Sequence, residues 1–208
     1  MTKFPDHLPP PKEELSKGER TREQIMQAAI GLFSEQGYHG TSMRQIAEHA
    51  GISLGGIYNH FGGKEEIFQA VSLRYHPIHT ILPGLEQSDG ETVEEVVRQS
   101  ADQMYSTLTQ RQDFLNLMFI EVVEFENRHI PYLVGQFAPQ ILGLVSGFAQ
   151  RQSGLRDIPV PIILRAFLGF FYSYIMIEVM LGESLMPELR QDALEHSIDI
   201  FLHGIVEG

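Results

Sequence analysis

The sequence predicts an all-α chain of about nine helices, and three observations carry that expectation. Apolar side chains recur at i, i+3, i+4 and i+7 along most of the 208 residues. Prolines stand at or near the starts of four candidate helices, where a missing backbone N–H does no harm. No stretch carries sustained period-2 alternation or a hairpin turn signal. A hydrophobic content of 43% is that of an ordinary globular protein, and the length suits one sizeable domain or two small ones.

Residues 1–16, with Pro9-Pro10-Pro11 and mixed charge, predict a flexible N-terminal arm. A first helix runs from Lys17 to Gln36, because Ile25, Ala28, Ala29, Leu32 and Phe33 form one core-facing stripe. The most informative stretch follows, from Thr41 to Phe61. Met43, Ile46, Ala47 and Ala50 recur at helical spacing, and Ser42 with Gln45 has the form of a capping box. Gly51 stands where that helix must stop, since glycine alone enters the left-handed region without steric cost. Ser53 then caps a second helix that buries Ile57 and Phe61. This is the layout of a helix-turn-helix, whose second helix enters the DNA major groove.

Lys64 to about His76 makes a fourth helix, with Ile67, Phe68, Val71 and Tyr75 apolar. Pro77, Pro83-Gly84 and Ser88-Asp89-Gly90 place a boundary near 77–90. Beyond it the candidate helices are Thr92–Gln110, Asp113–Asn127, Pro131–Gln152, Pro159–Leu181 and Pro187–His203. The last two are apolar around most of their circumference and need cover on several sides. At the end of the second of the five, Glu124 and Arg128, the residue just past that helix, stand at the i, i+4 spacing of a helical ion pair.

Composition excludes several functions. With no cysteine there are no disulfides, thiolate metal sites or thiol nucleophiles, which fits a reducing cytoplasm. The N-terminus has no apolar signal core, so a cytoplasmic protein is expected. Ile162 to Met180 comes nearest to a membrane span but contains Arg165 and Glu178, so no membrane partner is expected. The net charge of −12 argues against indiscriminate nucleic-acid binding. It is unevenly spread: residues 1–75 hold 8 basic and 9 acidic side chains, residues 76–208 hold 7 and 18. The near-neutral end is the one with the DNA-binding motif, and Lys17, Arg20, Arg22, Arg44 and Lys64 supply its cations.

No nucleophile elbow, Walker loop or His-Glu-x-x-His is present, so no enzyme, metal or cofactor is expected. One minor alternative rests on Glu126-Asn127-Arg128-His129, the Glu-x-x-His element of di-iron carboxylate bundles. It has no second copy, and Pro131 follows at once. Another is a helical-bundle interaction protein that keeps the motif only for packing.

The spacing becomes specific when read together. A helix ends in Gly37-Tyr38, followed by Gly40-Thr41-Ser42; after the turn come Gly55, Tyr58, His60-Phe61 and Lys64-Glu65-Glu66. Over residues 20–70 the chain resembles the TetR family of bacterial transcriptional regulators. The resemblance implies a helix-turn-helix DNA-binding domain over 17–63, a connecting helix over 64–82, and a ligand-binding and dimerisation domain over 83–208. It implies a homodimer on a near-palindromic operator in double-stranded DNA, acting as a repressor released by a small hydrophobic or aromatic effector. Carried over position by position, Ser53, Leu54, Gly55, Gly56 and Asn59 read bases. Tyr58 and His60 reach phosphates, as do Thr41, Arg44 and Lys64. Asn suits bidentate pairing with adenine, and Leu54 suits a thymine methyl. Two departures stand out: many relatives carry Lys where Leu54 stands and Thr where Gly56 stands. The effector pocket is expected from Met104, Leu108, Phe114, Met118, Glu121, Val122, Phe125, Phe171 and Tyr174, because flexible methionine and aromatic walls suit apolar ligands. The dimer face is expected from Phe167, Phe170, Tyr174, Ile177, Leu194, Ile198 and Phe201.

Overall fold

The computed structural model describes residues 15–79, 81, 92–149 and 155–206. Residues 1–14 of the expected arm, the Pro83-Gly84 and Ser88–Gly90 punctuation, and the last residues of the Pro131–Gln152 helix lie outside them. Among the described residues there are nine α-helices and two short 3-10 turns. They are α1 (Lys17–Gly40), α2 (Met43–His49), α3 (Leu54–Ile57), α4 (Lys64–Arg74), α5 (Val93–Thr109), α6 (Gln112–Glu124), α7 (Ile130–Ala149), α8 (Val160–Leu181) and α9 (Ala193–Ile205). The helices group into two compact units: Met1–His76 with Gln112–Val134, and Pro77–Arg111 with Gly135–Gly208. The expected boundary near 77–90 is therefore crossed a second time, when α6 rejoins the N-terminal helices.

In the first unit α1 packs against α2, α4 and α6. Ser16 caps α1 in a full box with Glu19, and the Glu19 carboxylate accepts the Ser16 N–H at 2.8 Å. The helix does not stop at Gln36. Gly37 (φ 75°) kinks it, and a further turn runs on to Gly40. One core joins Ile25, Ala29, Leu32 and Phe33 of α1 to Ile46, Ile57, Phe61, Ile67, Phe68 and Val71. Leu117, Ile120 and Phe125 complete it. Phe125 lies 4.6 Å from the Tyr38 ring and 4.8 Å from Phe68. Each such aromatic contributes about 1.5–3 kcal/mol by leaving water. That burial is why residues 112–134 belong here: α6 covers the apolar face of α1, and Phe125 beyond it covers Phe68 of α4.

In the second unit α5 packs against α8 and α9. Thr92 and Glu95 form its capping box. α8 buries Val160, Ile163, Phe167, Phe171 and Ile175, and α9 buries Ile198, Phe201, Leu202 and Ile205. Rings of Phe167, Phe170, Phe171 and Phe201 meet at 4.7–6.0 Å. Arg98 of α5 forks onto Glu195 at 2.7 Å and Asp199 at 2.6 Å, both on α9. The final helix does not begin at Pro187. That proline opens a 3-10 turn, and Asp192 (φ 52°) breaks the chain before α9 starts at Ala193.

Three expected dimer-face residues are instead core of this chain: Phe167, Ile198 and Phe201 are buried in the second unit. Phe170 and Ile177 are exposed, while Tyr174 and Leu194 are half-buried. The sequence pattern could not separate the two groups, because α8 is apolar on both faces.

Candidate nucleic-acid interface

The motif is built from local bonds. Ser42 Oγ accepts the Gln45 N–H, and the Gln45 amide oxygen accepts the Ser42 N–H at 2.9 Å, so the expected capping box is present. Gly51 adopts φ 69°, the left-handed stop. Ser53 Oγ accepts the Gly56 N–H at 3.0 Å and starts α3. The expected second helix is short. α3 spans only Leu54–Ile57, after which Asn59 and His60 donate to the carbonyls of Gly56 and Ile57 in tighter i→i−3 bonds. Two adjacent glycines cost about 1 kcal/mol each relative to alanine in a helix, and Gly62-Gly63 follow at once.

This element presents Ser53, Leu54, Gly55, Tyr58 and Asn59 to solvent, with Leu54 44% and Tyr58 53% exposed. Ile57 and Phe61 are the buried anchors beneath them. Arg44, on α2, is also exposed, and Gly56 and His60 are half-buried. A Cβ on Gly55 would meet nothing within 4 Å, whereas one on Gly56 would lie 3.1 Å from Ser53 Oγ. Glycine at 56 thus protects the cap; the chain itself sets no such demand at 55.

Two expected phosphate contacts are engaged elsewhere. Thr41 is 2% exposed. Its hydroxyl donates to the Gly37 carbonyl at 2.8 Å, and its N–H donates to the Tyr38 carbonyl. The side chain closes the α1 terminus and does not face solvent. Lys64 Nζ donates to the carbonyls of Tyr38 at 2.5 Å and Thr41 at 2.6 Å, and sits 4.0 Å over the Tyr38 ring. Burial lowers its pKa, with Glu124 acting in the opposite direction. Lys64 adds a charged donor to carbonyls at the end of α1, which is the work of a C-terminal cation.

Arg22 was unmarked in the sequence beyond its charge. Its guanidinium donates to the His60 carbonyl at 2.6 Å and lies 3.9 Å over the Phe61 ring. It ties α1 to the far end of the reading element across 38 residues of sequence. Nothing in local spacing points to such a contact. Tyr75, at the end of α4, donates to Glu23 Oε1 at 2.8 Å and fixes α4 to α1.

The nine residues expected to form one effector pocket divide between the units. Met104, Leu108 and Phe171 are buried in the second, with Tyr174 beside Tyr105 at 6.1 Å. Burial pushes the Tyr174 phenol up to about 12. Phe114, Glu121 and Phe125 are buried in the first unit, Met118 is half-buried and Val122 is exposed. The Glu121 carboxylate is bonded to His129. α6 ends at Glu124, so Glu126 and His129 do not share a helix and the di-iron element is not formed. Among the described residues no group of three or more His, Asp or Glu is arranged to hold a metal ion. Nor does Glu124 pair with Arg128: Glu124 lies 3.3 Å from His39, and Arg128 lies 3.5 Å from Glu65.

Residues 25–71 match the family described as bacterial regulatory proteins, tetR family. The chain is 27% identical over 184 residues to the HTH-type transcriptional regulator SrpR of Pseudomonas putida, covering 86% of this chain and 82% of that one. Over 49 residues it is 53% identical to the regulator HbdR of Aromatoleum, covering 24% of this chain and 21% of that one. Two solved structures share the fold. A TetR-family regulator from Marinobacter aquaeolei superposes with a TM-score of 0.68 at 16% identity, over 91% of this chain and 97% of that one. NalD, the secondary repressor of the MexAB-OprM multidrug efflux pump in Pseudomonas aeruginosa, superposes with a TM-score of 0.64 at 22% identity, over 92% and 99%.

Proposed function

We propose, from the premise that this chain belongs to the TetR family of bacterial regulatory proteins, that it represses transcription as a homodimer on a near-palindromic operator. A small hydrophobic effector releases it. The observation that carries this reading is the exposed face of the reading element: Ser53, Leu54, Gly55, Tyr58 and Asn59 project from a turn that is capped and anchored from below. Asn59 and Leu54 read base edges, while Tyr58, His60 and Arg44 meet phosphates and set register.

The homodimer is supported by apolar surface on the second unit. Ile162, Phe170, Ile177, Met180 and Leu181 of α8 and Ile200 of α9 are exposed. Exposed apolar surface of this extent calls for a cover. By length and composition the 22-residue α8 could also cross a membrane. Its Arg165 and Glu178, and its packing against α5, favour a second protein subunit as that cover. Two recognition elements would then enter major grooves about 34–36 Å apart or a multiple of it. Met104, Leu108 and Phe171, beside Tyr174, supply the apolar environment for an effector in the second unit. An effector that fits only the non-binding spacing shifts the population toward it, with a coupling of about 1–3 kcal/mol. The protein acts in the cytoplasm and carries no catalytic role.

The test is binding of the purified chain to the DNA flanking its own gene, across a salt series and against random duplex. Specific, salt-dependent binding as a dimer is expected. Equal affinity for flanking and random DNA, with and without candidate effectors, would sink the regulator reading.

A further inference from the structure

The turn between α6 and α7 is held by a buried cluster that the DNA-reading surface does not use. Glu126 (φ 52°) and Asn127 (φ 63°) are consecutive non-glycine residues in the left-handed region. Such backbone persists only where its surroundings over-determine it. Glu121 supplies that constraint. Its main-chain carbonyl accepts the Asn127 N–H at 3.1 Å, and its Oε1 accepts the His129 N–H at 2.8 Å. Its Oε2 lies 2.8 Å from His129 Nδ1. On the other edge of the ring, Nε2 lies 3.1 Å from Oε1 of Glu65, in the first turn of α4. His129 and Glu121 are buried, Glu65 is half-exposed, and the imidazole packs on Phe125 at 4.6 Å and Phe68 at 6.0 Å.

An ionised carboxylate only accepts hydrogen bonds, so two carboxylates on two ring nitrogens require two N–H donors. Only the imidazolium has both; a neutral ring has one. Glu121 is buried and has no solvent to replace a lost donor, so the remaining proton belongs on Nδ1. Nε2 then turns a lone pair toward Glu65. We propose that His129 is a proton-dependent tether: when charged it ties the α6–α7 turn to α4 through Glu65, and when neutral it gives up the Glu65 bond.

The other charges around it act differently. Arg128, on the same turn, reaches the same Glu65 oxygen at 3.5 Å from an exposed position, which sets a pH-independent floor under the contact. Glu124 of α6 faces His39 of α1. Lys64 of α4 is turned to the Tyr38 and Thr41 carbonyls, and the Tyr38 phenol stays neutral because burial, with Glu65 and Glu124 nearby, raises its pKa. The consequence for DNA rests on the function proposed above. α4 follows the reading element directly, and Lys64, next to Glu65, holds the loop ahead of α2, so releasing Glu65 loosens the support of the motif.

The experiment is side-chain nitrogen NMR of the full chain between about pH 5 and 8, the range in which histidine charge changes. His129 is assigned by the signals lost in His129→Gln. Operator affinity is measured in parallel at fixed ionic strength. Two ring N–H groups are expected at the acid end, with Nε2 losing its proton as the pH rises. Affinity should fall about threefold from this contact, as for a half-exposed ion pair. In Glu65→Gln the side-chain amide can accept from the charged ring or donate to the neutral one, so that component of the slope should vanish. The difference between the slopes of the two proteins is the signal. A ring holding one N–H, or two, unchanged over the range overturns the tether; so does an identical slope in both proteins. Two N–H groups that titrate as expected in a chain with no operator affinity would support the tether and sink the regulator reading instead.

Discussion

Replacing Gly55 by alanine separates two reasons for a glycine in the reading element. A Cβ at this position meets no heavy atom of the chain within 4 Å. The folded protein therefore loses nothing by gaining it, and alanine restores up to about 1 kcal/mol of helix propensity. If the glycine serves close backbone approach to DNA, the same methyl is driven into the duplex. Overpacking of that kind costs about 1–3 kcal/mol, or roughly 5- to 150-fold in affinity. Gly56→Ala is the internal comparison, because its Cβ would lie 3.1 Å from Ser53 Oγ and disturb the cap. Loss of an N-cap costs about 0.5–2 kcal/mol of stability. Thermal melts and fluorescence anisotropy on an operator duplex, run on both variants, read the two effects apart. Gly55→Ala should melt at or above the parent temperature and bind weakly; Gly56→Ala, where the same propensity gain is set against a displaced cap, should melt below Gly55→Ala. A Gly55→Ala protein that binds as tightly as the parent would refute the close-approach argument.

Three further predictions follow from the same geometry. Lys64→Met should remove two charge-assisted bonds to carbonyls and destabilise the first unit by about 1–3 kcal/mol, leaving the salt slope of DNA binding unchanged; a slope smaller by about one would restore Lys64 as a phosphate contact. Asn59→Ala should alter base preference at one operator position by about 1–3 kcal/mol, read by competition among single-substituted duplexes, and an unaltered preferred sequence would remove its base-reading role. Burial, followed by the bond to Glu23, pushes the Tyr75 phenol far above the ordinary tyrosine value, so the folded chain holds that proton more tightly than the unfolded one. Its contribution is complete below about pH 10 and is lost as the pH rises further, so the alkaline fall in denaturant midpoint should shrink in Tyr75→Phe; an equal fall in both proteins would count against it.

Much of the fold was legible because its signals are local. Helix periodicity, the Ser42–Gln45 box, the Gly51 stop and the Ser53 cap each depend on side chains within a few residues of the backbone they satisfy. These determined the helices, the turn of the motif and which face of it reaches solvent. Tertiary structure decided what spans longer stretches of chain. Arg22 meets His60 across 38 residues and Glu65 meets His129 across 64, and no periodicity encodes either pair. The same holds for Thr41 and Lys64, whose chemistry suits a phosphate and a helix terminus equally; only their arrival at the end of α1 engages Thr41 with the Gly37 carbonyl and Lys64 with the Tyr38 and Thr41 carbonyls. It holds again for α6 and α8. An apolar stripe states that a face needs cover, and the physical reason the sequence stops there is that burial is non-directional: any apolar neighbour will serve. Three-dimensional packing set α6 against α1, and among the described residues it leaves Ile162, Phe170, Ile177, Met180 and Leu181 of α8 exposed.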